Sequence, residues 1–579
     1  MKLLNPVAEA WSQFDAPTRE IFKATVQFFE KKGKRAMKHE DHECVWYRDY
    51  LNFLKERDVF YTFLTPVQYG DPAKCRWDSA RNTAYSELLG FYSLSHWYAW
   101  QVSILGLGPI WMSPNEELKK KTASLLKAGG IFAFGLSEKE HGADLIASDM
   151  MLIPQGNGFV ARGDKYYIGN GNEAALVSVF GKVQGSKEFV FFAVETNHPN
   201  YKCTQNVVRS QKYVAEFDLN DYPITDKEIL LRGRAAWDAS LATVAFAKFN
   251  LGLAAIGIST HSFYEAINHA SKRKLYGTFV TDFPHIRGLF VEAYARLTAM
   301  RMFAYRAKDY MRVASESDRR YLLFNPMVKM KVTMQGEEVI NLLWDVIAAR
   351  GFEKDMYFES ATRDIRMLPK LEGTAHVNMV LVIKFMNKYL FEKAILPEVA
   401  EQNGNANDSF LFNQGATTKG VENVVPGDFQ KAYDSYSFPN LTIFKGQIES
   451  LRKFLKDCGP GKEQSRDLDF MLAVGEIFTL VAYGQLVLER ARMEEAAASG
   501  QKRDEAEMAA TGELLEEIFD FMIRDFSRHA LTLYGKPSTT KEQARVCMEM
   551  IQKPEVNQAR FDRVCSRVYA LADTYRMSD

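Results

Sequence analysis

The chain has 579 residues, 47% of them hydrophobic, which is too long for one core and enough for about three to four domains. Lysine plus arginine equals aspartate plus glutamate at 73 each, so no net charge draws the protein to nucleic acid or to an anionic membrane. Six scattered cysteines, with no C-x-x-C pair, argue against a disulfide framework or a zinc site and read as reduced thiols of a cytoplasmic protein.

The first residues lack the apolar run of a signal peptide. Up to about residue 128, apolar and charged positions alternate at helical spacing, which predicts a helical domain over 1–128. Within it, residues 91–112 contain no Asp, Glu, Lys or Arg, but Ser93, His96, Gln101 and Pro109 interrupt the run. That pattern predicts a buried core helix ending near Gly106, and no membrane contact. After Gly129-Gly130, β-rich runs at 159–161, 176–180 and 189–194 alternate with Gly156-Asn157-Gly158, Gly169-Asn170-Gly171 and Gly185-Ser186. These predict an antiparallel β domain over 129–236.

From Trp237 the pattern is helical again, over 237–400. Ile286, Phe290, Tyr294, Leu297, Met300 and Ala304 form one stripe behind a start signal at Asp282 and Pro284. Residues 401–427, rich in Asn and Gly, read as a linker. Helices at 470–488 and 514–533 then predict a further helical domain over 428–579, with the charged interval 494–507 as a solvated loop.

Four segments carry chemistry. In Leu371-Glu372-Gly373-Thr374-Ala375-His376, apolar flanks predict a desolvated carboxylate, raised in pKa toward that of a useful base. Gly373 lets the backbone approach a ligand, and an N–H there can meet developing negative charge. The plainer role for Glu372 is a helix cap. In Arg273-Lys274-Leu275-Tyr276-Gly277 the arginine offers a rigid, always-charged fork for phosphate, or else a solvent-facing basic patch with Lys272 and Lys274. Ser137-Glu138-Lys139-Glu140-His141-Gly142-Ala143-Asp144 is a turn-rich polar segment. In Lys165-Tyr166-Tyr167-Ile168-Gly169-Asn170, a tyrosine pair on a strand is core by default.

Taken in order and at these separations, the segments resemble the acyl-CoA dehydrogenase family of flavoproteins, over roughly residues 1–400. The resemblance implies an α+β, mainly helical fold: an N-terminal helical domain, a central antiparallel β-barrel-like domain, a C-terminal four-helix bundle, and the extra C-terminal helical domain of the long members. It implies an FAD-dependent enzyme of fatty-acid β-oxidation that converts an acyl-CoA to a trans-2-enoyl-CoA. Glu372 would take the α-proton while hydride passes to flavin N5, and electrons would leave to an electron-transfer flavoprotein. Ser137, Tyr167, Gly169, Arg273, Tyr276, Thr374 and His376 would contact FAD, and no metal is implied. Arg273 would reach the FAD pyrophosphate of a neighbouring subunit, which makes the protein a homodimer at least.

Some family members carry the base upstream of the arginine motif, but residues 245–248 of this chain include no carboxylate. Several positions depart from the family pattern. Lys139 stands for proline, Ala143 for serine and Gly169 for a threonine that touches the flavin. Asp345, Ala348 and Ala349 replace the glutamine and paired glycines that pack on the FAD diphosphate, with Arg350 as a potential substitute contact. Two rival readings follow: an acyl-CoA oxidase that admits oxygen, and a non-catalytic acyl-binding or scaffold paralogue.

Overall fold

A computed structural model describes residues 3–414, 417, 424–499 and 505–579. The chain forms two compact units, one built mainly from Pro6–Asn250 and the other mainly from Leu251–Gln402 and the C-terminal segment to Arg576.

The first unit begins with helices, among them Ala16–His42, Ser79–Tyr92, Leu94–Met112 and Glu116–Lys127. Asp15, Asp78, Ser93 and Asn115 cap these four by accepting first-turn N–H groups. The uncharged helix is buried throughout, save its last residue, but it runs past Gly106 to Met112. Gly106 and Gly108 are there for close approach rather than as stops. A Cβ on Gly106 would lie 2.6 Å from Ala133 O, and one on Gly108 2.6 Å from Thr243 Oγ1.

Eight strands follow: β1 Phe132–Gly135, β2 Met151–Gln155, β3 Gly158–Gly169, β4 Leu176–Val183, β5 Phe189–Val194, β6 Tyr201–Asn206, β7 Val214–Ile224 and β8 Ile229–Arg232. Their order is β6-β7-β3-β2-β4-β5-β8, with β1 also on β4. Gly156, at φ 57°, and Asn157 make the two-residue turn between β2 and β3. The sheet is mixed, not antiparallel as expected, because β1 and β2 both pair with β4 in parallel. Glycine turns in a sequence mark hairpins, whereas parallel pairing is made by long crossovers that leave no such signature. Ala133, Leu152, Ile168, Val177, Phe192 and Phe217 are among the residues of its core.

Part of the expected linker is anchored on this unit. Leu411 and Phe412 are buried, Phe412 packs edge-on against Trp77, and Asp408 accepts from the Ser79 N–H at 2.6 Å. Residues 415, 416 and 418–423 of that linker lie outside the described residues.

The second unit is helical. The predicted stripe lies on the helix Pro284–Arg312, with all its members buried except the half-buried Tyr294. The two long C-terminal helices, Leu468–Ser499 and Glu505–Tyr534, extend into the interval expected as a loop; residues 500–504 lie outside the described residues. Charge alone does not end a helix, and Arg490 pairs with Glu494 one turn on at 2.9 Å. Among the described residues, two helical stretches, Gly233–Ala270 and Leu468–Ala496, are long and apolar enough to cross a membrane, yet 83% of each apolar window is buried within the protein.

One buried ion pair ties Pro284–Arg312 to Glu505–Tyr534. Arg296 donates to both carboxylate oxygens of Asp525, at 2.8 and 3.0 Å, and lies over the Phe521 ring. Asp525→Ala would leave that guanidinium with Glu292, at 2.8 Å, as its remaining close partner. It is expected to lower stability by about 1.5–3 kcal/mol in equilibrium urea denaturation.

Candidate active site

In the first unit, a fully buried lysine joins two of the segments singled out in the sequence. Lys165 Nζ donates to Glu138 Oε1 at 2.6 Å and to Leu136 O at 3.0 Å. The same carboxylate accepts from Ser148 Oγ at 2.6 Å and from the Asp149 N–H at 2.7 Å. The Tyr166 N–H donates to Ser137 O at 3.0 Å. Burial alone would raise the Glu138 carboxyl, but the Lys165 ammonium and these hydrogen bonds outweigh it and hold the group below its ordinary value. His141 and Asp149 stand beside Glu138, and His141 Nε2 bonds Asp149 Oδ2 at 2.8 Å, so both carboxylates of the cluster are already engaged.

Directly after Lys165, strand β3 bulges. Lys165 pairs with Phe217 and Ile168 with Ala215, so Tyr166 and Tyr167 together face Glu216. The bulge puts Tyr167 at φ 64° and turns its ring outward, leaving the residue 59% exposed. This tyrosine is a presented surface, not core. Ser137 is half-buried just beyond β1. Gly169 is small because the Tyr98 ring fills its side-chain space: a Cβ there would lie 2.6 Å from Tyr98 Cε1 and 2.8 Å from Val102 Cγ1. A threonine does not fit, which accounts for the absent hydroxyl.

In the second unit, Glu372 sits in a turn between a short 3-10 segment, Ile365–Met367, and the helix Ala375–Ile383. Glu372 and Gly373 are consecutive left-handed residues, at φ 53° and 81°. The Glu372 side chain is half-buried, with its Oε2 closed off from solvent. The helix is capped by Thr374, whose Oγ1 accepts from the Val377 N–H at 3.3 Å, so capping is not the work of Glu372. Backbone and side chains fix the turn. The Ala375 N–H reaches Pro369 O at 3.0 Å, and Asn378 Nδ2 donates to Gly373 O and Thr374 O at 3.1 and 3.0 Å. Buried Lys329 donates to Pro369 O at 2.7 Å and also to Gly373 O. His376 is exposed on the first helical turn.

The arginine motif forms a hairpin of β9 Lys274–Leu275 and β10 Thr278–Phe279. Its two turn residues, Tyr276 and Gly277, both have positive φ (54° and 82°), the geometry that favours glycine at the second position. Tyr276 is 98% exposed. At the hairpin's base Arg273 donates to His269 Nε2 at 3.5 Å. Burial, then Arg350 and Arg273, push the His269 imidazole below its ordinary pKa and keep it neutral. The Arg273 guanidinium, a fork suited to phosphate, thus meets an uncharged ring, while Arg350 pairs with Glu353 at 3.6 Å. Lys272 is paired with Asp573 at 2.5 Å, which weakens the alternative of a free basic patch.

Ala348 has φ 59° and ψ −145°, a conformation that favours glycine. The backbone thus keeps the shape of the glycine it replaces. Asp345, Ala348 and Ala349 are exposed, so their side chains add to the surface rather than filling the interior. The sequence pointed to Glu372, Tyr167 and Arg273 but not to Lys165, Lys329 or His269. Lys165 opens a segment singled out in the sequence without a role of its own, and the one trace of Lys329 is a lysine among apolar residues.

Residues 237–386 match the family model described as acyl-CoA dehydrogenase, C-terminal domain. A short-chain-specific acyl-CoA dehydrogenase of Clostridium acetobutylicum is 21% identical over 46% of this chain and 71% of its own. A 3-(aryl)acrylate reductase of Clostridium sporogenes is 20% identical over 48% of this chain and 75% of its own. The fold is similar to that of an acyl-CoA dehydrogenase complexed with FAD from Bacillus anthracis, with a TM-score of 0.73 over 98% of each chain at 16% identity.

Two outcomes follow from this geometry. Ala348→Gly removes a strained methyl-bearing position and is expected to raise stability by about 1–3 kcal/mol in urea denaturation. Glu138, with its folded pKa depressed, contributes stability that is complete above its ordinary value of 4.5 and lost as pH falls through the folded value. In Lys165→Met burial becomes the dominant influence, the carboxyl pKa rises, and stability is expected instead to fall as pH rises. Urea midpoints over about pH 3–7 check the sign.

Proposed function

We propose that this chain, which belongs to the acyl-CoA dehydrogenase family through its domain at 237–386 and its fold, is an FAD-dependent enzyme that converts an acyl-CoA thioester to a trans-2-enoyl-CoA. The observation that carries this reading is the turn at Glu372, where a carboxylate oxygen shielded from water rides on a backbone fixed from three directions. A carboxylate so held acts as the base for the α-proton, and shielding preserves its basicity. The Glu372 N–H, in a left-handed turn beside Gly373, is the donor assigned to the thioester oxygen as charge develops there. Bound FAD would supply the acceptor for the β-hydride.

The cofactor roles follow from exposure and charge. Tyr167 offers an outward ring for the flavin, with Ser137 and the bulged strand beside it. Thr374 and His376, exposed at the start of their helix, are assigned to the cofactor's edge. Arg273 and Arg350 are assigned to a diphosphate, with Arg350 taking over from the missing glycines. That diphosphate would belong to the partner of a homodimer, which would also cover the bare Tyr276 turn. An electron-transfer flavoprotein is the proposed acceptor. The non-catalytic alternative is weakened by Ala348, which keeps a strained conformation that favours glycine.

The test is anaerobic addition of a panel of acyl-CoAs to the flavin-loaded protein. Bleaching of the flavin is expected with at least one of them. Glu372→Gln should still bind but bleach about 10²–10⁴-fold more slowly, because an amide cannot accept the proton. Unchanged bleaching by that variant removes Glu372 from the mechanism. Rapid oxygen uptake with substrate and no other acceptor would mark an acyl-CoA oxidase instead.

A further inference from the structure

We infer that Lys329 is a positioning residue for the base: its buried ammonium locks the turn that carries Glu372 by holding the carbonyls on either side of it. The inference rests on the reading of Glu372 as that base and adds a residue which the sequence pattern does not reveal.

Lys329 is wholly buried in the middle of a π-helical segment, Val328–Val332, that follows Pro326. Such single wide turns displace side chains from the ordinary helical register. The segment is held in place from behind. A Cβ on Gly252 would lie 2.5 Å from Val328 Cγ1 and 2.9 Å from Val328 O, so the helix Phe249–Ala270 presses directly on it. From this position Nζ reaches Pro369 O at 2.7 Å and Gly373 O, three residues before Glu372 and one after.

Both acceptors serve other groups of the same turn. Pro369 O also accepts from the Ala375 N–H, and Gly373 O from Asn378 Nδ2. The turn is therefore closed on itself, with one cation at its centre. Two things make that cation more than packing. Hydrogen bonds from a charged donor are about twice as strong as neutral ones, so they offset the cost of holding Glu372 at φ 53°, where a side-chain-bearing residue is strained. The ammonium also grips the peptide that joins Gly373 to Thr374, so its loss frees the backbone immediately after the base. A base misplaced by about 1 Å loses on the order of a hundredfold in rate.

The experiment compares full-length, FAD-loaded wild type with Lys329→Met, Lys329→Arg and Asn378→Ala. It measures acyl-CoA affinity by perturbation of the flavin spectrum, single-turnover bleaching, and amide hydrogen exchange across residues 368–376. Lys329→Met is expected to bleach about 10–100-fold more slowly while affinity changes by less than about threefold, with faster exchange confined to the turn. Lys329→Arg, which keeps a charged donor, should recover part of the rate. If Lys329→Met does not accumulate as folded protein, Asn378→Ala must show a milder form of the same split, and its absence overturns the inference. So does a Lys329→Met protein with wild-type bleaching and exchange, or one in which affinity, rate and global stability fall together. If Glu372→Gln bleaches normally, the reading of the base fails, while exchange in the turn still reports on the lock.

Discussion

An ammonium group taken out of water must be surrounded by oxygen, and whatever supplies that oxygen becomes fixed. This constraint organises both halves of the chemistry. Lys165 in the first unit gathers Leu136 O and Glu138, and with Tyr166 N–H on Ser137 O it fastens the polar turn to the bulged strand that presents Tyr167. Lys329 in the second unit gathers the carbonyls around Glu372. In neither case does the lysine itself face the chemistry. Each fixes a glycine-containing segment, one presenting the exposed Tyr167 ring and the other the half-buried Glu372 carboxylate.

Much of the helical architecture is legible in the sequence because one face of each long helix must be apolar. The stripe from Ile286 to Ala304 is the clearest case, and it lies buried as its spacing requires. The hairpin at Tyr276-Gly277 and the turn at Gly156-Asn157 are legible too, since positive φ selects residue types. Other features have no local signature. The parallel pairing of β1 and β2 with β4 depends on crossovers, and Gly106 reads as a helix end although it marks a close contact with a strand.

Within the candidate site, the family resemblance singled out Glu372, Arg273 and Tyr167 but not the buried side chains that hold their segments. A lysine in an apolar run looks the same whatever its amine holds, so Lys329 cannot be distinguished by pattern from Lys331, which is buried as well. Departures from the family pattern are also ambiguous on paper. Gly169 is explained by the Tyr98 ring, and Ala348 by a backbone that keeps a glycine conformation under an added methyl group.

The extra C-terminal helices belong to the same unit as Glu372. Tyr483 stacks on Phe303 and donates to Gln335 at 2.7 Å, and Phe478 lies against Tyr389. Nearest the chemistry is Gly475: a Cβ there would lie 2.6 Å from Met379 Sδ and 2.8 Å from Ile383 Cγ1, on the helix that starts just after Glu372. This contact has a consequence for biosynthesis. About a hundred residues separate the two partners, and at roughly 5–20 residues per second a ribosome takes about 5–20 s to make them. Through that interval the nascent helix after residue 374 has no lid for its apolar side. The newborn chain therefore emerges with its Glu372 segment unfinished, and chaperones guarding that segment would have to wait for most of the polypeptide to leave the exit tunnel.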